Sequence, residues 1–208
     1  MIDTRAEFES LFWSLLAPVT IAVFAAIVLL LAYTAVRGRR RPSRTAPSHA
    51  PWLEALYAGG VAVIVAAILG FSFAAESRVD RLSQTPGVGI DVTAFQWQWH
   101  FAYPGTDVVL VGSAERQARL VVPTETTIRF TLVARDVVHS FWIPELRFKR
   151  DAFPKRATEF DLVFPEAGIF AGRCAEFCGL EHAHMTFDVV AVPPSKFRAR
   201  LAEEAARR

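Results

Sequence analysis

Cys174-Ala175-Glu176-Phe177-Cys178-Gly179-Leu180-Glu181-His182-Ala183-His184-Met185 holds both cysteines of the chain, two of its five histidines and its only methionine besides Met1. Two thiols, an imidazole and a thioether at the spacing Cys-x3-Cys-x3-His-x2-Met make a soft donor set. Soft sulfur with imidazole selects copper over calcium or magnesium. A mononuclear blue-copper site takes one Cys, two His and a weak axial Met, so this stretch has one thiolate too many for it. Two thiolates on one short loop can instead bridge two metal ions, each then taking one imidazole. The second imidazole must come from elsewhere, and His139 is the leading candidate. Three other readings compete: a small disulfide between Cys174 and Cys178, a Cys2His2 zinc site with His139 and His182, and buried thiols with no role. None of the three accounts for Met185.

Working outward, the chain has 208 residues, of which 52% are hydrophobic, and the excess is concentrated near the start. Residues 1–10 are polar and acidic. From Leu11 to Val36 no charge occurs, and such a run exceeds the ~20 residues that cross a bilayer. Arg37, Arg39, Arg40, Arg41 and Arg44 follow it. A signal peptide carries its positive charge before the apolar run, so this run reads as an uncleaved span. A second apolar run covers 52–75, interrupted by Glu54 near its start. The arginine-rich loop 37–51 is then cytoplasmic, with both termini outside. Membrane topology explains the basic loop without nucleic-acid binding.

Residues 76–90, with Pro86, Gly87 and Gly89, read as a linker. From 91 to 192 the pattern changes to short β-branched or alternating runs: Asp91–Phe101, Asp107–Val111, Arg119–Val122, Thr126–Ala134, Glu159–Phe164, Gly168–Ala171 and Thr186–Val192. Turn-formers separate them, which predicts a β-sandwich or Greek-key β-barrel. Residues 193–208 read as a helix docking through Phe197 and Leu201. The expected class is thus an α + β membrane protein: a transmembrane hairpin over 11–75, then a β domain.

Four segments carry a resemblance to a known family. They are Phe95-Gln96-Trp97-Gln98-Trp99, Asp136-Val137-Val138-His139-Ser140-Phe141, Lys149-Arg150-Asp151-Ala152-Phe153-Pro154-Lys155-Arg156, and Gly172-Arg173-Cys174 through Met185. With the membrane hairpin, they resemble subunit II of the haem–copper cytochrome c oxidases. The resemblance implies a cupredoxin-like domain and a binuclear copper A centre. Cys174 and Cys178 would bridge the coppers. His139 would bind one, with Met185 as its weak axial ligand, and His182 the other, with the Glu176 carbonyl axial. It implies a role for Trp97 in electron entry, a magnesium on the Glu176 side chain where subunit I meets this chain, and a place for Glu54 at the mouth of a proton pathway. The implied partners are subunits I and III, a c-type cytochrome donor and membrane lipid. The implied location is a bacterial inner membrane, with the copper domain on the periplasmic side. The haems and the oxygen chemistry of the proton-translocating enzyme would belong to subunit I.

Within that reading His184 is a surface histidine, His100 faces away from Trp99, and His49 lies in the basic loop. Trp97 and Trp99 are read on one face of a single strand with Phe95 and Phe101. Two departures from the family pattern, Arg135 and Gln98, and the mixture of Asp91, Asp107, Glu115 and Asp136 with Arg116, Arg119 and Arg135, leave the donor's charge open. A copper A subunit of a nitric oxide reductase and a membrane-tethered copper-binding or assembly protein are the alternatives.

Overall fold

The computed structural model describes residues 9–39, 51–113 and 116–206. The acidic N-terminal segment up to residue 8, most of the basic loop, Ser43 and His49 included, and Glu115 lie outside the described residues. The chain divides into two compact units, one of 9–78 and one beginning at Val79.

The first unit is helical. A π-helical turn, Phe12–Leu16, leads into α1 (Ala17–Arg39), and α2 spans Pro51–Val79. The wide turn stands just ahead of Pro18, which has no N–H to give the preceding turn and whose ring crowds the carbonyl four residues back. Both helices are long and apolar enough to cross a membrane, and neither buries its apolar stretch within the chain. The 29 residues of α2 rise about 43 Å at about 1.5 Å each, against a hydrocarbon core of about 30 Å. A helix apolar all round has no water-facing side, so a lipid or protein surrounding must supply its contacts.

The second unit is built of two sheets. β1 (Val88–Phe95), β2 (Gln98–Ala102), β3 (Val109–Val111), β5 (Ile128–Ala134) and β8 (Thr158–Leu162) form one, in the order β3-β2-β1-β5-β8. β4 (Ala118–Pro123), β6 (His139–Ile143), β7 (Phe148–Ala152), β9 (Gly168–Cys174) and β10 (Thr186–Val192) form the other, in the order β4-β10-β9-β6-β7. β1 runs parallel to β5 and β4 parallel to β10; the other pairings are antiparallel. The sheets stay separate: this is a cupredoxin-like sandwich, not a closed barrel.

Strict alternation puts one side of each strand inside, as along β5, where residues 128, 130, 132 and 134 are buried. Aromatic rings fill the interior. Phe141 of β6 stacks on Phe187 of β10 with centroids 4.8 Å apart, and Phe130 on Phe160 at 5.1 Å. Trp99 meets both Phe141 and Phe187 edge-on. Tyr103, just past β2, ties the sheets together. Its hydroxyl donates to the Val121 carbonyl at 2.8 Å and accepts from the Val121 N–H at 2.9 Å, while burial pushes its ionisation well up. α3 (Pro194–Ala205) docks through buried Leu201 and half-buried Phe197, as its spacing predicts.

Three expectations change. The stretch 91–101 is not one strand: the chain turns at Gln96-Trp97, between β1 and β2. The segment expected to link the units is shorter than 76–90, because α2 continues to Val79 and β1 begins at Val88. β6 and β7 were not legible as strands. β7 reads Phe-Lys-Arg-Asp-Ala, whose charges suit an edge strand wetted on one side.

Candidate metal centre

Three neighbouring strands of the second sheet bring the donors together. His139 opens β6, Cys174 closes β9, and Met185 immediately precedes β10. Cys178 and His182 come from the loop between β9 and β10. Pairing fixes the frame: Cys174 stands opposite Phe141, its N–H donates to the Met185 carbonyl at 2.9 Å, and the Ala175 N–H donates to the Ser140 carbonyl at 3.0 Å. The ends of β6, β9 and β10 are thus stitched at the level of the donors.

The sulfurs of Cys174 and Cys178 lie 3.9 Å apart as free thiols. Each faces its own imidazole: Cys174 Sγ is 3.9 Å from His139 Nδ1, and Cys178 Sγ is 3.5 Å from His182 Nδ1. Met185 Sδ is 3.8 Å from Cys178 Sγ, and the Glu176 carbonyl is 3.2 Å from Cys174 Sγ. His139, Cys174, Cys178 and Met185 are buried and His182 is half-buried. His139, Cys174 and Cys178 thus form one buried group able to hold a metal ion, with Met185, the half-buried His182 and the Glu176 carbonyl beside it.

A partner the sequence reading missed orients one imidazole. Asp136 Oδ1 lies 2.8 Å from His139 Nε2, leaving Nδ1 for the sulfur side. The same carboxylate accepts the backbone N–H groups of Gln96 and Val137, each at 2.7 Å. Burial alone would raise Asp136, yet the hydrogen bonds from His139, Gln96 and Val137 outweigh it and hold the carboxyl below its ordinary range. Its place three residues before His139 was the available signal, since metal-ligating histidines habitually give their second ring nitrogen to a carboxylate.

The thiols oppose one another electrically. Burial resists ionising Cys174, but the His139 ring and nearby backbone groups prevail and bring it down to about 7. Burial, with the negative charge on Cys174, pushes Cys178 up to about 12. Two buried thiolates side by side are disfavoured unless a cation lies between them. The donor set fits a soft metal, with two sulfurs, two imidazoles, a thioether and a carbonyl.

The remaining candidates fall around this centre or away from it. Trp97 is half-buried in the β1–β2 turn, and its Nε1 donates to the Cys178 carbonyl at 3.1 Å. It does not share a strand face with Trp99, which is fully buried in the core. His184 is exposed and pairs with Glu181 Oε2 at 2.8 Å. It points away because a short 3-10 turn, His182–His184, precedes Met185, not because of strand alternation. The Glu176 carboxylate is exposed and lies 3.9 Å from Lys149 Nζ, which pairs with Asp151 at 3.2 Å. Glu54 sits in the first turn of α2.

The fold and these donors define a class: a two-sheet cupredoxin-like domain with a buried, sulfur-rich cluster that could hold a metal ion. Residues 109–192 match the family model for the periplasmic domain of cytochrome c oxidase subunit II. The chain belongs to the cytochrome c oxidase subunit II family. It is 31% identical to a probable cytochrome c oxidase subunit 2 of Nocardia farcinica, over 74% of this chain and 58% of that protein. A Streptomyces avermitilis relative of the same description is 30% identical over 72% of this chain and 59% of the relative. The chain thus spans under three fifths of the length of these relatives. Among solved structures, the periplasmic domain of subunit II of cytochrome oxidase of Bradyrhizobium japonicum superposes with a TM-score of 0.55 at 27% identity, covering 61% of this chain and 99% of that one. Another neighbour is subunit II captured in a mixed disulfide with a thioredoxin-like protein, with a TM-score of 0.51 at 25% identity, covering 62% and 98%.

Proposed function

We propose that this chain is the electron-input subunit of a respiratory haem–copper oxidase. It takes electrons from a c-type cytochrome at a binuclear copper A centre and passes them to the haems of subunit I, where oxygen is reduced to water. The observation that carries this reading is the convergence of Cys174, Cys178, His139, His182, Met185 and the Glu176 carbonyl, with each thiol beside its own imidazole. Copper held by these donors would supply one-electron storage.

The chain's residues serve that chemistry in distinct ways. Cys174 and Cys178 would hold the copper through their sulfurs, which lie 3.9 Å apart. His139 and His182 offer Nδ1, and Asp136 fixes the His139 ring from behind. Met185 and the Glu176 carbonyl are the weak donors. Phe141, Phe187 and Trp99 pack into a water-free core under β6, β9 and β10. A dry, rigid shell limits the reorganisation that accompanies a change of charge. Trp97 is the electron entry point, since its half-exposed indole is hydrogen-bonded to the carbonyl of a ligand cysteine.

The two apolar helices anchor the chain in a bacterial inner membrane. The arginine-rich loop is cytoplasmic, and both termini and the copper domain are periplasmic. The exposed Glu176 carboxylate, 3.9 Å from Lys149 Nζ, would take a magnesium at the boundary with subunit I, and subunit III would complete the assembly. Glu54 stands at the mouth of the proton path.

Metal analysis and electron paramagnetic resonance on the purified, copper-loaded chain test the reading. Two coppers per chain sharing one unpaired electron are expected. One copper, or one zinc, overturns it.

A further inference from the structure

Gln96 stands in the turn between β1 and β2 and reaches both halves of the donor cluster. Its backbone N–H donates to Asp136 Oδ2 at 2.7 Å, and the other oxygen of that carboxylate holds His139 Nε2 at 2.8 Å. Its side-chain amide turns the other way and donates to the Cys178 carbonyl at 2.8 Å. Trp97 Nε1 donates to the same oxygen at 3.1 Å. A carbonyl oxygen has two lone pairs, so adjacent residues of one turn satisfy it completely. Gly179 permits this approach. Its φ is +118°, and a Cβ there would stand 3.2 Å from both Gln96 Nε2 and the Trp97 ring.

We propose that Gln96 is a positioning residue that braces the two halves of the metal centre against each other. His139 arrives on β6, and Cys178 on the β9–β10 loop. Among the described residues, no backbone hydrogen bond of the second sheet reaches Cys178 itself, because the pairing of β6, β9 and β10 covers Cys174 and Met185 and stops there. The Gln96 amide takes over where the ladder ends, and its N–H ties the same residue to the support of His139. The Cys178 sulfur is thereby set relative to His139 before any metal arrives, which lowers the ordering cost of binding. This inference rests on the proposed metal centre, but not on which metal fills it.

The test uses the full chain in detergent with Gln96→Leu and Gln96→Glu. Both keep the backbone N–H to Asp136 and lose the amide donor, and Gln96→Glu turns a carboxylate toward the Cys178 carbonyl. Gln98→Leu is the control, because the Gln98 amide leaves the same hairpin for the Ser113 carbonyl at 3.0 Å. In the metal-free protein, hydrogen exchange over residues 179–182 should speed up in both Gln96 variants and stay at the wild-type rate in the control. After copper loading, a chelator should strip the Gln96 variants about twofold to tenfold faster, the worth of one neutral hydrogen bond. Their paramagnetic resonance should show the two coppers becoming less alike. Wild-type exchange and wild-type copper loss in both Gln96 variants overturn the brace, and so does an equal change in Gln98→Leu. If the wild-type chain takes up no copper, the proposed function falls. The brace is then judged on metal-free exchange alone.

Discussion

Asp136 shows how much one carboxylate outside the donor set can decide. It accepts from His139, Gln96 and Val137 together, so it aligns an imidazole, a turn and its own loop. Asp136→Asn keeps the shape and removes the charge behind the ring. Metal affinity should fall about tenfold to a hundredfold, as for other outer partners of metal-bound histidines. Chelator competition on the copper-loaded chain measures it, and an unchanged affinity would show that β6 alone orients His139. Trp97 and Trp99 make the complementary point. They are two positions apart, yet one is half-buried on the Cys178 carbonyl and the other has its Nε1 3.5 Å from the Met185 carbonyl deep in the core.

Among the elements, β9 and β10 bear a tight constraint. Gly172 lies opposite Phe187 in their pairing, and a Cβ on Gly172 would meet the Phe187 ring at 2.2 Å. That ring cannot retreat, because Phe141, Trp99 and Phe101 surround it. Gly172→Ala should therefore lower stability by about 1–3 kcal/mol through overpacking. Gly89→Ala on β1, where a Cβ meets nothing within 4 Å, should be close to neutral. Denaturant titration of both variants decides, and equal stabilities would mean that the sheets slide apart at little cost. The same strands show where sequence patterning stops being legible. β10 could be read in full from its apolar run, Thr186–Val192. β6 and β7 were read only as family segments, because five residues are too few for a period and the charges of β7 mask its inward positions.

The whole molecule combines a helical unit whose apolar surface finds no cover within the chain with a β unit that is self-sufficient in its core. The helices' requirement for lipid or a partner subunit, and the arginines that follow α1, lead to a topological prediction. A cysteine introduced at Ser43 should resist an impermeant thiol reagent applied from the periplasmic side and react once the membrane is opened. Labelling of intact spheroplasts would reverse the assigned orientation.

By itself the sequence marked out the candidate donors, the two long apolar helices and the β character of residues after 90. Each depends on local composition or on a spacing of a few residues, and chain connectivity holds such neighbours together whatever the rest does. Tertiary structure decided which donor faces which. His139 reaches Cys174 only because β6 pairs with β9 in a register that sets Phe141 opposite Cys174. Trp97 reaches the Cys178 carbonyl only because the chain turns at Gln96 instead of continuing straight. Those contacts join residues far apart along the chain. Their geometry comes from strand register and from the packing of rings between two sheets, which no short stretch of sequence contains.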